Sequence, residues 1–295
     1  MFVITGASGN NGSKVGEILL SREQKVRVVA RNADRLQGLL NRGAEAALGD
    51  MRDAGFLTAA FAGAAAVFVM IPPNYTAGDF RAYQNDTGGS IAAAIQNAGI
   101  KHVVNLSSQG AEFSDGTGLI KGLHDQEERL NKLEGVSILH VRPAYYMENL
   151  FTFIPMIRKA NIAGSAIRGD RKFAMIATKD IAAFVGERLM RRDFTGKSVS
   201  GLLGQRDVSL DEVIAIIGMK INRPGLKYVQ FPYEEARKGL VSAGLSEDVS
   251  SLIIEMSKAI NDGLLSANVR REKDNTTGTS IEEFADTFAT VYESA

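Results

Sequence analysis

The chain has 295 residues, 45% hydrophobic and 23% charged, which fits one large or two closely joined globular domains. Lys+Arg and Asp+Glu number 34 each, so the broad basic field of a nucleic-acid binder is missing; the short run Met190–Arg192 meets Asp193 and reads as a solvated helix end. The absence of cysteine excludes disulfides, thiolate nucleophiles and Cys-ligated metals, and the three histidines (His102, His124, His140) lack the i, i+4 spacing of a metal site.

Phe2–Thr5 is strand-like with no basic leader before it, which predicts no secretory signal and a cytoplasmic location. The most apolar run, Ala59–Ile71, is shorter than the ~18 residues a membrane span needs, and Gly63 interrupts it, so no membrane segment is expected. Further strand-like runs are Lys25–Ala30, Glu45–Leu48, Ala66–Met70, His102–Leu106 and Ser137–Val141. Helical stretches lie between them at Gly12–Leu20, Ala33–Asn41, Asp53–Phe61, Phe80–Ala98 and Ile120–Lys132. This alternation predicts βαβ units and a parallel sheet, and the largely uninterrupted apolar runs predict helices on both faces. After Pro143 the texture mixes: a helical stretch at Asn149–Lys159, a strand-like "KFAMIA" at 172–177, and a helix near Asp180–Met190. Ser198–Leu203 reads as a buried strand returning to the main sheet. The remainder is mostly helical, with Asp207–Met219, Tyr233–Ala243, Asp248–Asp262 and Ile281–Tyr292, and the polar Arg270–Thr279 is expected to be a mobile loop.

The most informative motif is Gly6-Ala7-Ser8-Gly9-Asn10-Asn11-Gly12, directly behind the strand "FVIT" and opening a helix. Glycine there lets the backbone approach a pyrophosphate, and the helix start offers free N–H groups and a positive dipole end. A plain glycine-rich turn is the alternative. Arg31 ends the second strand, 19 residues after Gly12, where an NAD-binding unit would place an acid for the ribose 2′-hydroxyl. A guanidinium there matches a 2′-phosphate instead, unless it is an ordinary surface arginine. Asp50, followed by Met51, closes the third strand beside the expected adenine; Asp50 accepts from the base or caps the next helix, as Asp53 is expected to do. Ile71, Pro72 and Pro73 end the fourth strand along the cofactor, the prolines stiffening that edge. The expected architecture is a Rossmann-type, doubly wound α/β fold: an NADP-binding domain over 1–142 and a smaller, mostly helical substrate-covering region over 143–295.

Taken in order, "VITGASGNNG", Arg31, "GDMRD", "HVVNLSS", "RPAYYMENL" and "ATKDIAAF" resemble the NmrA-like branch of the atypical short-chain dehydrogenase/reductases over most of the chain. Within it, the helical C-terminus is similar to NADPH-dependent quinone and triphenylmethane-dye reductases. The resemblance implies the Rossmann fold and an NADP(H) cofactor. The wider superfamily carries a Ser, a Tyr and a Lys four residues after the Tyr. Ser108 matches the serine, but His124 and Glu128 stand at the other two positions, a departure the NmrA-like branch commonly shows.

Reduction of a simple ketone creates an alkoxide that needs a positioned acid, whereas a quinone or cationic dye spreads or cancels the charge. The residues present therefore suit a conjugated, electron-poor acceptor. At i and i+4, His124 and Glu128 share a helix face, so Glu128 is expected to hold an imidazole that positions or protonates the acceptor. An exposed surface pair is the alternative. Ser108 is either a donor to the acceptor or a turn hydroxyl. Pro143, Tyr145, Tyr146 and Asn149 are expected over the nicotinamide and substrate, with buried core packing the alternative for the residues that follow Pro143. Met147 is expected in the core, Phe151 and Phe153 stay unassigned, and His102 and His140 are read as structural. Two functions follow: an NADPH-dependent reductase of a small aromatic or quinone-like substrate, or an NADP(H)-sensing regulator that contacts a protein partner without turnover. Oligomeric state, including a homodimer, is left open. An epimerase-type activity is disfavoured, because it needs the absent tyrosine.

Overall fold

The computed structural model describes residues 1–295. In chain order the first half runs β1 (Phe2–Thr5), α1 (Asn10–Ser21), β2 (Val26–Ala30), α2 (Gln37–Leu40), β3 (Glu45–Leu48), α3 (Ala54–Phe61), β4 (Ala66–Val69), α4 (Phe80–Asn97), β5 (His102–Leu106), α5 (Lys121–Asn131) and β6 (Ser137–Pro143). The second half adds β7 (Tyr145–Tyr146), α6 (Ile154–Ala160), β8 (Ile162–Ser165), β9 (Phe173–Ile176), α7 (Thr178–Arg191), β10 (Lys197–Leu202), β11 (Asp207–Val208), α8 (Leu210–Lys220), β12 (Lys227–Gln230), α9 (Tyr233–Ser242), α10 (Glu247–Asp262) and α11 (Ile281–Ser294).

Seven strands form one parallel sheet in the order β10-β6-β5-β4-β1-β2-β3. Successive residues of a strand point to opposite faces, so a sheet covered on both sides needs apolar residues at every position. Ile4, Val28, Phe68 and Val104 accordingly pack beneath α1 and α7. Their neighbours Val3, Val29, Val67 and Val103 enter the opposite layer under α3, α4 and α5. Each such side chain stabilises the fold by roughly 1.5–3 kcal/mol. A third core, with Leu150, Ile157, Met175, Ile217, Phe284 and Phe288, joins α6, β9, α8 and α11. Two small sheets flank it, β11-β9-β7 and the parallel pair β12-β8.

Ser198–Leu203 does return to the main sheet, as β10 paired parallel to β6. The cores do not divide at residue 142, however: α7 packs along α1 and gives Ile181, Val185 and Leu189 to the sheet core. Where a helix was expected from Asp207, Asp207–Val208 is instead a strand antiparallel to β9; the helix starts at Leu210 because the Ser209 side chain caps it. The expected Asn149–Lys159 helix is a 3-10 turn over Met147–Phe153 followed by α6, whose first turn holds Pro155, a residue with no N–H to extend an earlier helix. Only Gln37–Leu40 of the Ala33–Asn41 stretch is α-helical. The polar Arg270–Thr279 segment is not free. Arg271 donates to the Leu203 and Gly204 carbonyls, Leu203 N–H donates to Asn275 O, and Thr279 bonds Asp180. No helix is long and apolar enough to cross a membrane.

His140 lies in the sheet with 1% exposure. Its Nε2 donates to Asn131 Oδ1 at 3.0 Å, and its Nδ1 accepts from Asn105 Nδ2 at 3.1 Å, a pattern that fits the neutral ring. Burial, helped by Arg142 and Lys197 and opposed by Glu127, holds this imidazole below the ordinary histidine range. The unfolded chain therefore takes up a proton near pH 6.5 that the native state refuses. His140 stabilises the fold fully above that pH and less as pH falls below it, down to its native pKa. Urea unfolding midpoints compared at neutral and mildly acid pH should drop more in the wild type than in a His140→Gln variant. Equal drops would remove His140 from the account.

Candidate active site

At the carboxyl edge of the sheet, β1 ends at Thr5 and the chain turns through Gly6 into α1. Gly9 is the N-cap and supplies no side-chain hydrogen bond, so the first N–H groups of α1 face outward unpaired. A Cβ on Gly12 would overlap the Gly6 carbonyl; that glycine is required by packing inside the loop. Gly9 differs. Its backbone is extended, at φ −105°, and a Cβ there would meet only the Gly6 oxygen at an ordinary 3.4 Å. Nothing inside the protein asks for glycine at position 9, so an approaching ligand is the physical reason left. Asn11 points the same way: its Oδ1 is buried with no hydrogen-bond partner. Ser8 and Asn10 are exposed beside it. This cradle fits a pyrophosphate.

Arg31 is exposed at the end of β2, near Asp50 but not paired with it. The two oxygens of Asp50 are taken by Arg52, with Nη2 at 2.7 Å and the backbone N–H at 2.9 Å, and that pairing holds the carboxyl below its usual range. Asp50 does not cap the next helix; Asp53 caps α3 by accepting from Phe56 N–H at 3.0 Å. The side chains of Met51 and Ile71 are buried in the layer under α3 and α4. Pro72 lends its carbonyl to the Tyr83 hydroxyl at 3.0 Å, and Pro73 is exposed. Pro143 is buried at the end of β6, and its carbonyl accepts from Gln109 N–H.

The two tyrosines of β7 point to opposite sides. Tyr146 packs on the sheet core against Asn11, and burial pushes its hydroxyl well above the ordinary phenol range, so it stays a proton-bearing donor. Tyr145 turns to the C-terminal core, edge-on to Phe173 at 5.4 Å, with its hydroxyl toward the exposed Asn149. Met147 is buried, as expected. Phe151 stacks on Phe284 and Phe153 is buried, so both belong to the core.

His124 sits in the first turn of α5, and its Nδ1 lies 2.8 Å from the Ala111 carbonyl. A carbonyl only accepts, so Nδ1 bears the proton and Nε2 is the free ring nitrogen. The expected His124–Glu128 partnership is not formed, for Glu128 is exposed and the histidine is held by backbone. Ser108 is half-buried and donates to the Gln109 carbonyl at 3.1 Å, the turn-hydroxyl alternative.

The NmrA-like family profile matches residues 1–285. The chain belongs to that family. An NAD(P)H azoreductase from Xenophilus azovorans is 25% identical over 256 residues, covering 87% of this chain and 86% of the relative. The triphenylmethane reductase of Citrobacter sp. complexed with NADP(H) shares the fold at TM-score 0.81 and 20% identity, over 98% of this chain and 100% of that one. NmrA, a negative transcriptional regulator in complex with NADP, does so at TM-score 0.71 and 14% identity, over 99% and 97% of the two chains.

In this NmrA-like chain, sequence reasoning missed a buried charged cluster. Arg142 on β6 grips Glu127 of α5 with Nη2–Oε2 at 2.6 Å and Nε–Oε1 at 2.9 Å, and it reaches Glu112 at 3.1 Å. The Ser107 hydroxyl also donates to Glu127. Burial alone would push the Glu127 carboxyl up, yet Arg142 and Ser107 hold it below the ordinary range. One signal was readable: Leu123, Glu127 and Leu130 share a helix face, which puts an acid at a core position. The contrast at the phosphate loop can be checked directly. Gly9→Val should keep the wild-type unfolding midpoint and lose at least tenfold in dinucleotide affinity by calorimetry, while Gly12→Ala should lower the midpoint as well. A Gly9→Val protein with native affinity would remove the loop from the binding site.

Proposed function

We propose that the protein is an NADPH-dependent reductase that delivers hydride to a conjugated aromatic electrophile such as a quinone, an azo compound or a cationic dye. The observation that carries this reading is the ligand-shaped loop, where glycine at position 9 has no internal explanation and the buried Asn11 Oδ1 has no hydrogen-bond partner. The chain binds NADP(H), a cofactor also named for the azoreductase relative and for both structural neighbours. The N–H groups of α1 receive the pyrophosphate, and Arg31 receives the 2′-phosphate through its planar fork.

NADPH supplies the hydride when bound. The protein's part is to hold a flat acceptor beside Tyr146 and Asn149 and, for a quinone or azo compound, to move one proton; a cationic dye takes the hydride alone. His124 has a free Nε2 and an anchored Nδ1, so it can take a proton from solvent and pass it to the reduced acceptor. Ser108 completes the polar side. No Tyr–Lys pair stands here to protonate an alkoxide, which supports a conjugated acceptor over a simple ketone. The alternative, an NADP(H) sensor without turnover, is favoured by the same missing pair and by the regulator that shares the fold.

One experiment separates the two. Loss of NADPH absorbance is followed with quinones, azo compounds and triphenylmethane dyes, against a Gly9→Val control. Turnover above the control supports the reductase, whereas tight NADPH binding with no oxidation across the panel supports the sensor. In parallel, Arg31→Ala should raise the NADPH Kd by roughly ten- to hundredfold, the worth of a charge-assisted hydrogen bond, and leave NADH nearly unchanged. Equal losses for both dinucleotides would take Arg31 out of the 2′-phosphate site.

A further inference from the structure

Arg142 joins three elements. It projects from β6, holds Glu127 on α5, and holds Glu112 on the turn that follows β5. The same turn is laced to β6 by backbone, with Ser107 N–H donating to Val141 O and Gln109 N–H to Pro143 O. Its remaining side-chain tie to β6 is the Glu112 carboxylate, one residue after the carbonyl that accepts the His124 proton. Ser108 lies within the turn and His124 on α5, so both proposed reacting-side groups are carried by elements that this guanidinium clasps together.

We infer that Glu112, through Arg142, is a positioning residue that sets the Ala111 carbonyl where it fixes the His124 ring with Nδ1 protonated and Nε2 free. The inference rests on the proposed role of His124 for its effect on turnover, but not for its effect on the ring. Glu127 is the buried half of the clasp, at 3% exposure, and losing its charge would leave the Arg142 guanidinium with a buried, broken pair. Glu112 is the half that can be changed. It borders a cavity of about 440 Å3 that also touches Gln109, Val199 and Arg270, so water can reach Arg142 when the carboxylate is removed.

The test is Glu112→Gln, with Glu112→Asp as a milder variant that keeps the charge but withdraws it by one methylene. In the Gln variant kcat should fall about tenfold while the NADPH Kd and the unfolding midpoint stay near wild type, and the Asp variant should fall between. A merely structural glutamate would move the midpoint and spare kcat. The second readout does not depend on activity. With only three histidines in the chain, 15N-histidine spectra resolve each ring, and His124 should change from the Nδ1-protonated tautomer to a mixture in Glu112→Gln. Unchanged spectra, or a kcat loss of the same size in a His124→Ala background, would overturn the positioning role. Full activity of His124→Ala together with the tautomer shift would instead sink the catalytic reading and leave the positioning intact.

Discussion

The structure depends on one junction, where the strand ending at Thr5 passes through four residues into the helix starting at Asn10. The fit inside that junction is tight. Gly12 sits so close to Gly6 that a single methyl group would collide with the Gly6 carbonyl. This closeness aims the uncapped start of α1 over the carboxyl edge of the sheet rather than into the core. Most of what is read as functional lies on that edge: Arg31 after β2, the Met70–Pro73 segment after β4, Ser108 and Glu112 after β5, and Tyr146 after β6. A parallel sheet brings these ends to one side as a matter of geometry, and the order β5-β4-β1-β2 places the phosphate loop between the two groups.

The first half of the fold was legible because its physics is local and repetitive. Strands buried on both faces leave unbroken apolar runs, and β1, β3 and β5 match their sequence ranges residue for residue. The second half resisted for the opposite reason. Tyr145–Tyr146 and Asp207–Val208 are strands only because β9 lies between them, and Ile162–Ser165 only because Lys227–Gln230 comes back to meet it. Pairings across such distances leave no periodic trace in two to four residues. The polar Arg270–Thr279 segment misled in a similar way: its composition is that of a loop, but Arg271 ties it to the end of β10.

The site divides along the same line. Backbone requirements write themselves into the sequence as glycine, so the tight strand-to-helix turn at Gly6–Gly12 was legible. Side-chain partnerships do not. Spacing brought Glu128 to the same helix face as His124, but a hydrogen bond needs an orientation as well as a face, and the nearest good acceptor is a backbone carbonyl thirteen residues away in sequence. Asp50 is a second case, since its side-chain partner, Arg52 two residues on, was not foreseen either. The acid that matters to the architecture, Glu127, was hidden by being next to the one that spacing favoured.

A half-buried arginine between two carboxylates is a costly way to hold a fold together, because desolvating charges offsets much of their attraction. Apolar side chains of similar volume would pack α5 on β6 with less penalty. What apolar packing lacks is direction. The guanidinium presents its donors in a rigid planar fork, so Glu127 and Glu112 are fixed in angle as well as distance, and so are the helix and the turn that carry them. Under the proposed reductase reading, with no Tyr–Lys pair to protonate the acceptor, turnover would rest on where the few polar groups stand, and rigid placement is what this cluster provides.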